Sequence, residues 1–160
     1  MGQHIVDSED VARILNPQWL AGRKILNMAF TLRERETYIS VNRTSVPSYS
    51  DDIKNFVTSH KSFQFNNDNT NYYRALLNVG DIRGIQVNNN GTPLNVDVDV
   101  EPRDAVTKSH AGIFTRHESK ILKLGNTQPI FMKYNVSVDE VIFEVRAALL
   151  KLAKLEMCSL

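Results

Sequence analysis

The side chains able to carry chemistry are one histidine set beside small residues, a row of alternating acids, a scatter of arginines and a lone cysteine. The histidine is His110, in KSHAGIFTRHE at 108–118. An imidazole gives or takes a proton near neutral pH. Ala111 and Gly112 behind it leave room for a substrate, or let another backbone approach closely. A catalytic histidine also requires a partner, and the sequence offers Asp81, Asp97, Asp99 or Glu118 without saying which lies near. His117, seven residues on, reads as an exposed turn residue. His60 reads as a helix C-cap, where a cation suits the dipole.

Asp97, Asp99 and Glu101 alternate with Val96, Val98 and Val100. Alternate residues of a strand lie about 6.6 Å apart on one face. Asp97 and Asp99 would share a magnesium ion if a third ligand came from elsewhere. A half-buried strand wetting its outer face has the same pattern, and its like charges discourage edge pairing. Arg23 and Arg43 flank a predicted hairpin's open end, and their guanidinium forks suit a phosphate or carboxylate. Arg33 and Arg35 alternate with Glu34 and Glu36 and are neutralised in place. Cys158 falls in a segment expected to fray, and no intramolecular disulfide can form. No phosphate-loop or dinucleotide glycine pattern, no nucleophile elbow and no zinc-type His/Cys spacing occurs.

Nineteen basic and eighteen acidic residues leave a net charge of +1, which exerts no long-range pull on nucleic acid or an anionic membrane. No apolar run approaches the roughly 20 residues of a membrane helix. MGQHIVDSED has acids where a secretory leader has its apolar core. Gly2 resembles a myristoylation start, but Val6 stands where Ser or Thr is expected. These readings place the chain in the cytoplasm, as a single domain over 1–160.

The elements that must hold these residues follow from periodicity. DSEDVARILNPQWL reads as a helix with Val11, Ile14 and Leu15 on one face, stopped before Pro17, with Trp19 and Leu20 folding back on the core. KILNMAFTLRERETYISVNR reads as a hairpin, with Leu26, Met28, Phe30 and Leu32 alternating in its first strand. SYSDDIKNFVTSH is a short helix capped by Ser50. VGDIRG suggests a bulge in a strand that turns through Asn90-Gly91 into PLNVDVDVEP, with Leu94, Val96, Val98 and Val100 inward. HAGIFTR and PIFMKY are further strands. Ser137 and Glu140 form a capping box for a final helix striped by Val138, Val141, Ile142, Val145, Leu149 and Leu152. The fold predicted is α+β: a mostly antiparallel sheet of about five or six strands, packed on one face by the C-terminal amphipathic helix.

NPQWLAGRKILNMAF, ETYISVNR and SHAGI, followed by an amphipathic helix, resemble a group of small uncharacterised bacterial proteins. The shared positions are Trp19, Gly22, Arg23, Ala29, Phe30, Ile39, Ser40, Val41, His110, Ala111 and Ile113, with Ile39 in place of a leucine. The resemblance implies no activity; it singles out Arg23, Ser40 and His110 for inspection.

Two functions are expected. The first is a protein-binding or self-associating module of a bacterial regulatory or defence operon. It follows from the missing catalytic motifs and the balanced charge. The alternative is an enzyme on a phosphate-bearing substrate, a nucleotide or RNA. There His110, with Ser40, would work as acid or base, Arg23 and Arg43 would hold the anion, and Asp97 and Asp99 would hold Mg2+. The enzyme requires His110 in a concave pocket near an arginine or carboxylate. The module requires an exposed apolar patch or a sizeable paired surface.

Overall fold

Valines and isoleucines alternate inward over residues 39–43 and 96–102, and the burial of these and other apolar strand residues decides how the layers stack. The computed structural model describes residues 4–33, 35–65, 70–125, 129–131 and 135–160. Its main sheet holds β1 (Asp10–Leu15), β2 (Ile39–Arg43), β3 (Asn71–Asn78), β4 (Val96–Pro102), β5 (His110–His117), β6 (Lys120–Ile121) and β7 (Lys154–Ser159). The spatial order is β4-β5-β2-β1-β3-β7, and every ladder is antiparallel. The short β6 pairs with the end of β5. The helices are α1 (Tyr49–Ser59), α2 (Val79–Arg83) and α3 (Val138–Leu152). The chain is therefore α+β, with α3 packed against the strands. No helix among the described residues is long and apolar enough to cross a membrane.

The sheet buries both faces. On the first, Val11, Leu15, Val41, Leu77, Val98, Val100 and Ile113 meet Val141, Val145 and Leu149 of α3. On the second, Ile14 and Tyr72 meet Ile53 and Val57 of α1. Each such side chain contributes about 1.5–3 kcal/mol on leaving water. Ser137 caps α3, the Glu140 N–H donating to its Oγ at 3.2 Å, and the predicted stripe is buried from Val138 to Leu149 but not at Leu152, which is exposed at the helix end.

Several local expectations are overturned. VARIL is strand β1, not a helix: Val11 and Leu15 serve one core, Ala12 and Ile14 the other face. A strand buried on both sides has a continuous apolar run that mimics a helical stripe. Residues 26–32 form no strand; Asn27–Phe30 is a 3-10 turn that buries Ala29 and Phe30 and exposes Met28. VGDIRG is not a bulge but contains α2, started by the Asn78 side chain accepting from the Asp81 N–H at 3.0 Å. Helix α1 begins at Tyr49, so Ser48 rather than Ser50 holds the cap position, and its hydroxyl donates to Asp52. The segment expected to fray is strand β7, paired with β3 from Lys154↔Leu76 to Ser159↔Asn71.

Other expectations match. Leu94, Val96, Val98 and Val100 are all buried. Asn90 (φ 50°) and Gly91 (φ 80°) make the predicted turn, flanked by the two-residue ladder of Asn88–Asn89 with Thr92–Pro93. Trp19 packs against the first-face core. Pro129–Phe131 is a strand, paired with Val136–Ser137. Residues 132–134 of PIFMKY, 66–69 of QFNNDNTN, and Glu34 lie outside the described residues.

Candidate functional site

Strands β1 and β2 pair only at Val11↔Arg43 and Ala12↔Asn42 and then separate. The split is filled by Arg13, whose Nε donates to the Ala29 carbonyl at 2.6 Å and whose Nη1 donates to the Ser40 carbonyl at 2.8 Å. Its guanidinium lies over the Trp19 ring, 5.2 Å from the centroid. Burial lowers the Arg13 pKa to about 10, and Glu36 works against that. The guanidinium stays charged at neutral pH and ties β1 to β2 through the Ser40 carbonyl and to the 27–30 turn through the Ala29 carbonyl.

This separation opens a cavity of about 320 Å3 on the second face of the sheet, between β1, β2, the start of β5, α1 and the Val106–Thr107 turn. Register brings its polar side together. Asn42 pairs with His110 and Ser40 with Gly112, so Ser40, Asn42 and His110 share that face. The Asn42 amide donates to Ser109 Oγ at 2.9 Å. Ser109 in turn donates to Asp52 Oδ2 through its hydroxyl at 2.6 Å and its N–H at 3.1 Å. Ser48 adds a third donor to the same oxygen at 3.0 Å. Burial pushes the Asp52 carboxyl up, but the donors from Ser109, Ser48 and Thr107 together hold it below the usual carboxylate range. It is an anion fixed in the first turn of α1, where the dipole favours it.

His110 is half-buried. The Tyr38 hydroxyl stands 3.5 Å from its Nε2, and Arg103 lies over the Tyr38 ring at 5.0 Å. Burial first, and then the nearby Arg103 charge, lowers the His110 pKa, so the ring is neutral at pH 7. Gly112 is what admits Tyr38: a Cβ there would stand 2.5 Å from the Tyr38 ring. The opposite wall is aromatic. Trp19 meets Phe63 edge-on at 5.6 Å, and Phe63 meets Phe56 at 4.9 Å. His60 stacks on Phe56 at 4.4 Å and donates to the Phe56 carbonyl from Nδ1, the predicted cap.

The chain matches no family model, no curated protein and no solved structure.

Of the residues singled out in the sequence, His110 and Ser40 line this cavity. Arg23 lines a separate groove with Lys24 and Lys151. Arg43 is turned into the interior, where its Nη2 meets Glu9 Oε1 at 2.8 Å, so the two arginines do not converge. Asp97 is exposed on the rim of β4. Asp99 accepts from Arg83 at 2.7 Å, and Glu101 is bidentate with Arg116, so the acid row holds cations of its own chain. Among the described residues, no three His, Cys, Asp or Glu side chains gather as a metal-ligand set. His117 is not an exposed turn residue: β5 runs through it, and its Nδ1 lies 2.6 Å from the Asn95 carbonyl. Cys158 packs beside Tyr72 under α1.

Asp52, Arg13, Tyr38 and the aromatic trio were not legible as site residues. In the sequence Asp52 is an ordinary first-turn acid, and 57 residues separate it from Ser109. The cavity offers a neutral imidazole, an exposed hydroxyl, a fixed carboxylate and flat apolar walls. That set can hold a planar ligand by its faces and read its edge through hydrogen bonds.

Proposed function

We propose that this cleft binds a neutral planar heteroaromatic group, of the chemical class of a nucleobase, with His110 as the proton acceptor. The observation that carries the reading is the convergence of His110, Ser40, Asn42 and Asp52 with Trp19, Phe56 and Phe63 on one cavity of about 320 Å3. Pockets of roughly 300 Å3 and above, mostly apolar with a few fixed polar groups, are the usual form of small-ligand sites. The charges argue against a phosphate as the group held here. Arg13 is committed to two carbonyl oxygens, Asp52 is negative, and the anticipated arginine pair is divided. A neutral ring meets no such repulsion. Neutral His110 accepts a hydrogen bond from a ring N–H or a hydroxyl. If it takes the proton outright, Arg103 destabilises the resulting imidazolium and favours passing the proton on. This keeps the acid–base part of the enzyme reading and drops its anion clamp.

Trp19 is the only tryptophan, so its emission reports the cleft. Titration with adenosine, guanosine, cytidine and uridine is expected to give saturable quenching with at least one, at a Kd of about 10–1,000 μM for a ligand of this size. His110→Ala is expected to weaken that binding about ten-fold, the worth of one well-placed hydrogen bond. Absence of any spectral change with all four nucleosides, or equal binding by Phe56→Ala and the native chain, disproves the reading.

A further inference from the structure

The sheet ends at β7, which among the described residues pairs with β3 and with no other strand. Its outer backbone N–H and C=O groups are a template for one more strand. Beside this edge lies a groove of about 430 Å3, bounded by β7, the end of α3 and the ladder of Leu20–Ala21 with Lys24–Ile25. Ile25, Leu150 and Leu155 give it an apolar floor, and Leu155 belongs to β7 itself. Arg23, Lys24 and Lys151 line it and are exposed. No acidic side chain lines it, and none of the three cations takes part in an ion pair among the described residues. The chain as a whole is nearly neutral, so this positive charge is a local feature of the groove.

We infer that the β7 edge and its groove dock an extended acidic segment of a partner protein, added to the sheet as a further strand. Strand addition draws affinity from main-chain hydrogen bonds and specificity from alternate side chains. Alternation sends one set of residues to the floor, and the carboxylates beside it reach the cationic rim. Arg23 can take a carboxylate by both arms of its fork. A second copy of this chain fits less well. Pairing β7 with β7 about a two-fold axis normal to the sheet puts both cationic rims on the same side, where they repel.

The test uses the full chain and two fluorescein-labelled synthetic peptides of about ten residues, one alternating glutamate with valine and one alternating lysine with valine, read by anisotropy. The glutamate peptide is expected to bind and the lysine peptide to fail. Arg23→Glu with Lys151→Glu is expected to lower affinity about ten-fold or more and to remove most of its salt dependence, since rim charges act through steering. Both positions are exposed, so the melting temperature should hold and serves as the folding control. Bound peptide is also expected to slow amide exchange along β7. Equal binding of the two peptides, binding of neither, affinity indifferent to the charge reversal, or unchanged β7 exchange overturns the proposal. So does a dimer in sedimentation that excludes the peptide.

Discussion

His110 and Asp52 sit on one cavity, yet their surroundings pull them toward opposite charge states. His110 is kept neutral by burial and by Arg103, while Asp52 is kept ionised by its donors against the cost of burial. Both pKa values are lowered relative to the unfolded chain, so both groups contribute stability above their unfolded values and lose it as pH falls through the folded ones. For His110 the loss begins near its ordinary value of 6.5, because the unfolded chain takes up the proton first. For Asp52 it begins near 3.8. Urea midpoints measured from neutral to strongly acid pH should therefore fall in two steps. His110→Gln should remove the upper step and leave the lower; Asp52→Asn should do the reverse. A single step, or one untouched by either change, would contradict these environments. Proton acceptance in the cleft follows the same logic: ligand binding should weaken in acid as the imidazole gains its proton.

Helix α3 is the element whose sequence and structure agree best. Its Ser137 cap, its acidic first turn and its stripe, buried through Leu149, all point one way. Leu149 is wholly buried at the end of that stripe, whereas Phe143 on the other side is 42 % exposed. Leu149→Ala should lower stability by about 2–5 kcal/mol through lost burial and a residual cavity. Phe143→Ala should cost about 0.5 kcal/mol or less. Urea unfolding of the two variants checks the orientation of the helix, and equal losses would mean that it is rotated. Strand β1 shows the opposite case. VARIL satisfies a helical stripe on paper, but a helix there could not fill the second-face cluster of Ile14 with Ile53, Val57 and Tyr72. Contact on both faces overrode local pattern.

At the scale of the whole molecule, β7 closes the sheet and also bounds both the second-face core and the basic groove. Its six residues pair with β3 across about eighty positions of sequence, a contact that local propensity does not announce. Removing residues 154–160 should lower the melting temperature by about 12–24 °C, given about 1 kcal/mol for each of about six ladder hydrogen bonds lost and about 2–4 °C for each kcal/mol in a chain of this size. It should also expose Tyr72 and abolish binding of the acidic peptide. A truncated chain that melts unchanged would make β7 an ornament of the sheet rather than part of it. The fold class, the Asn90-Gly91 turn, the inward valines of β4 and helix α3 could all be read from residues one to four positions apart, because period-two and period-3.6 burial are written in near neighbours. His110 and Ser40 stand out in the sequence as residues, but not as a pair. Their meeting with Asp52 and Trp19, the turning of Arg43 inward to Glu9, and the filling of the β1–β2 split by Arg13 depend on strand order and register. Those arise when segments dozens of residues apart compete for the same buried faces, and no local spacing records the outcome.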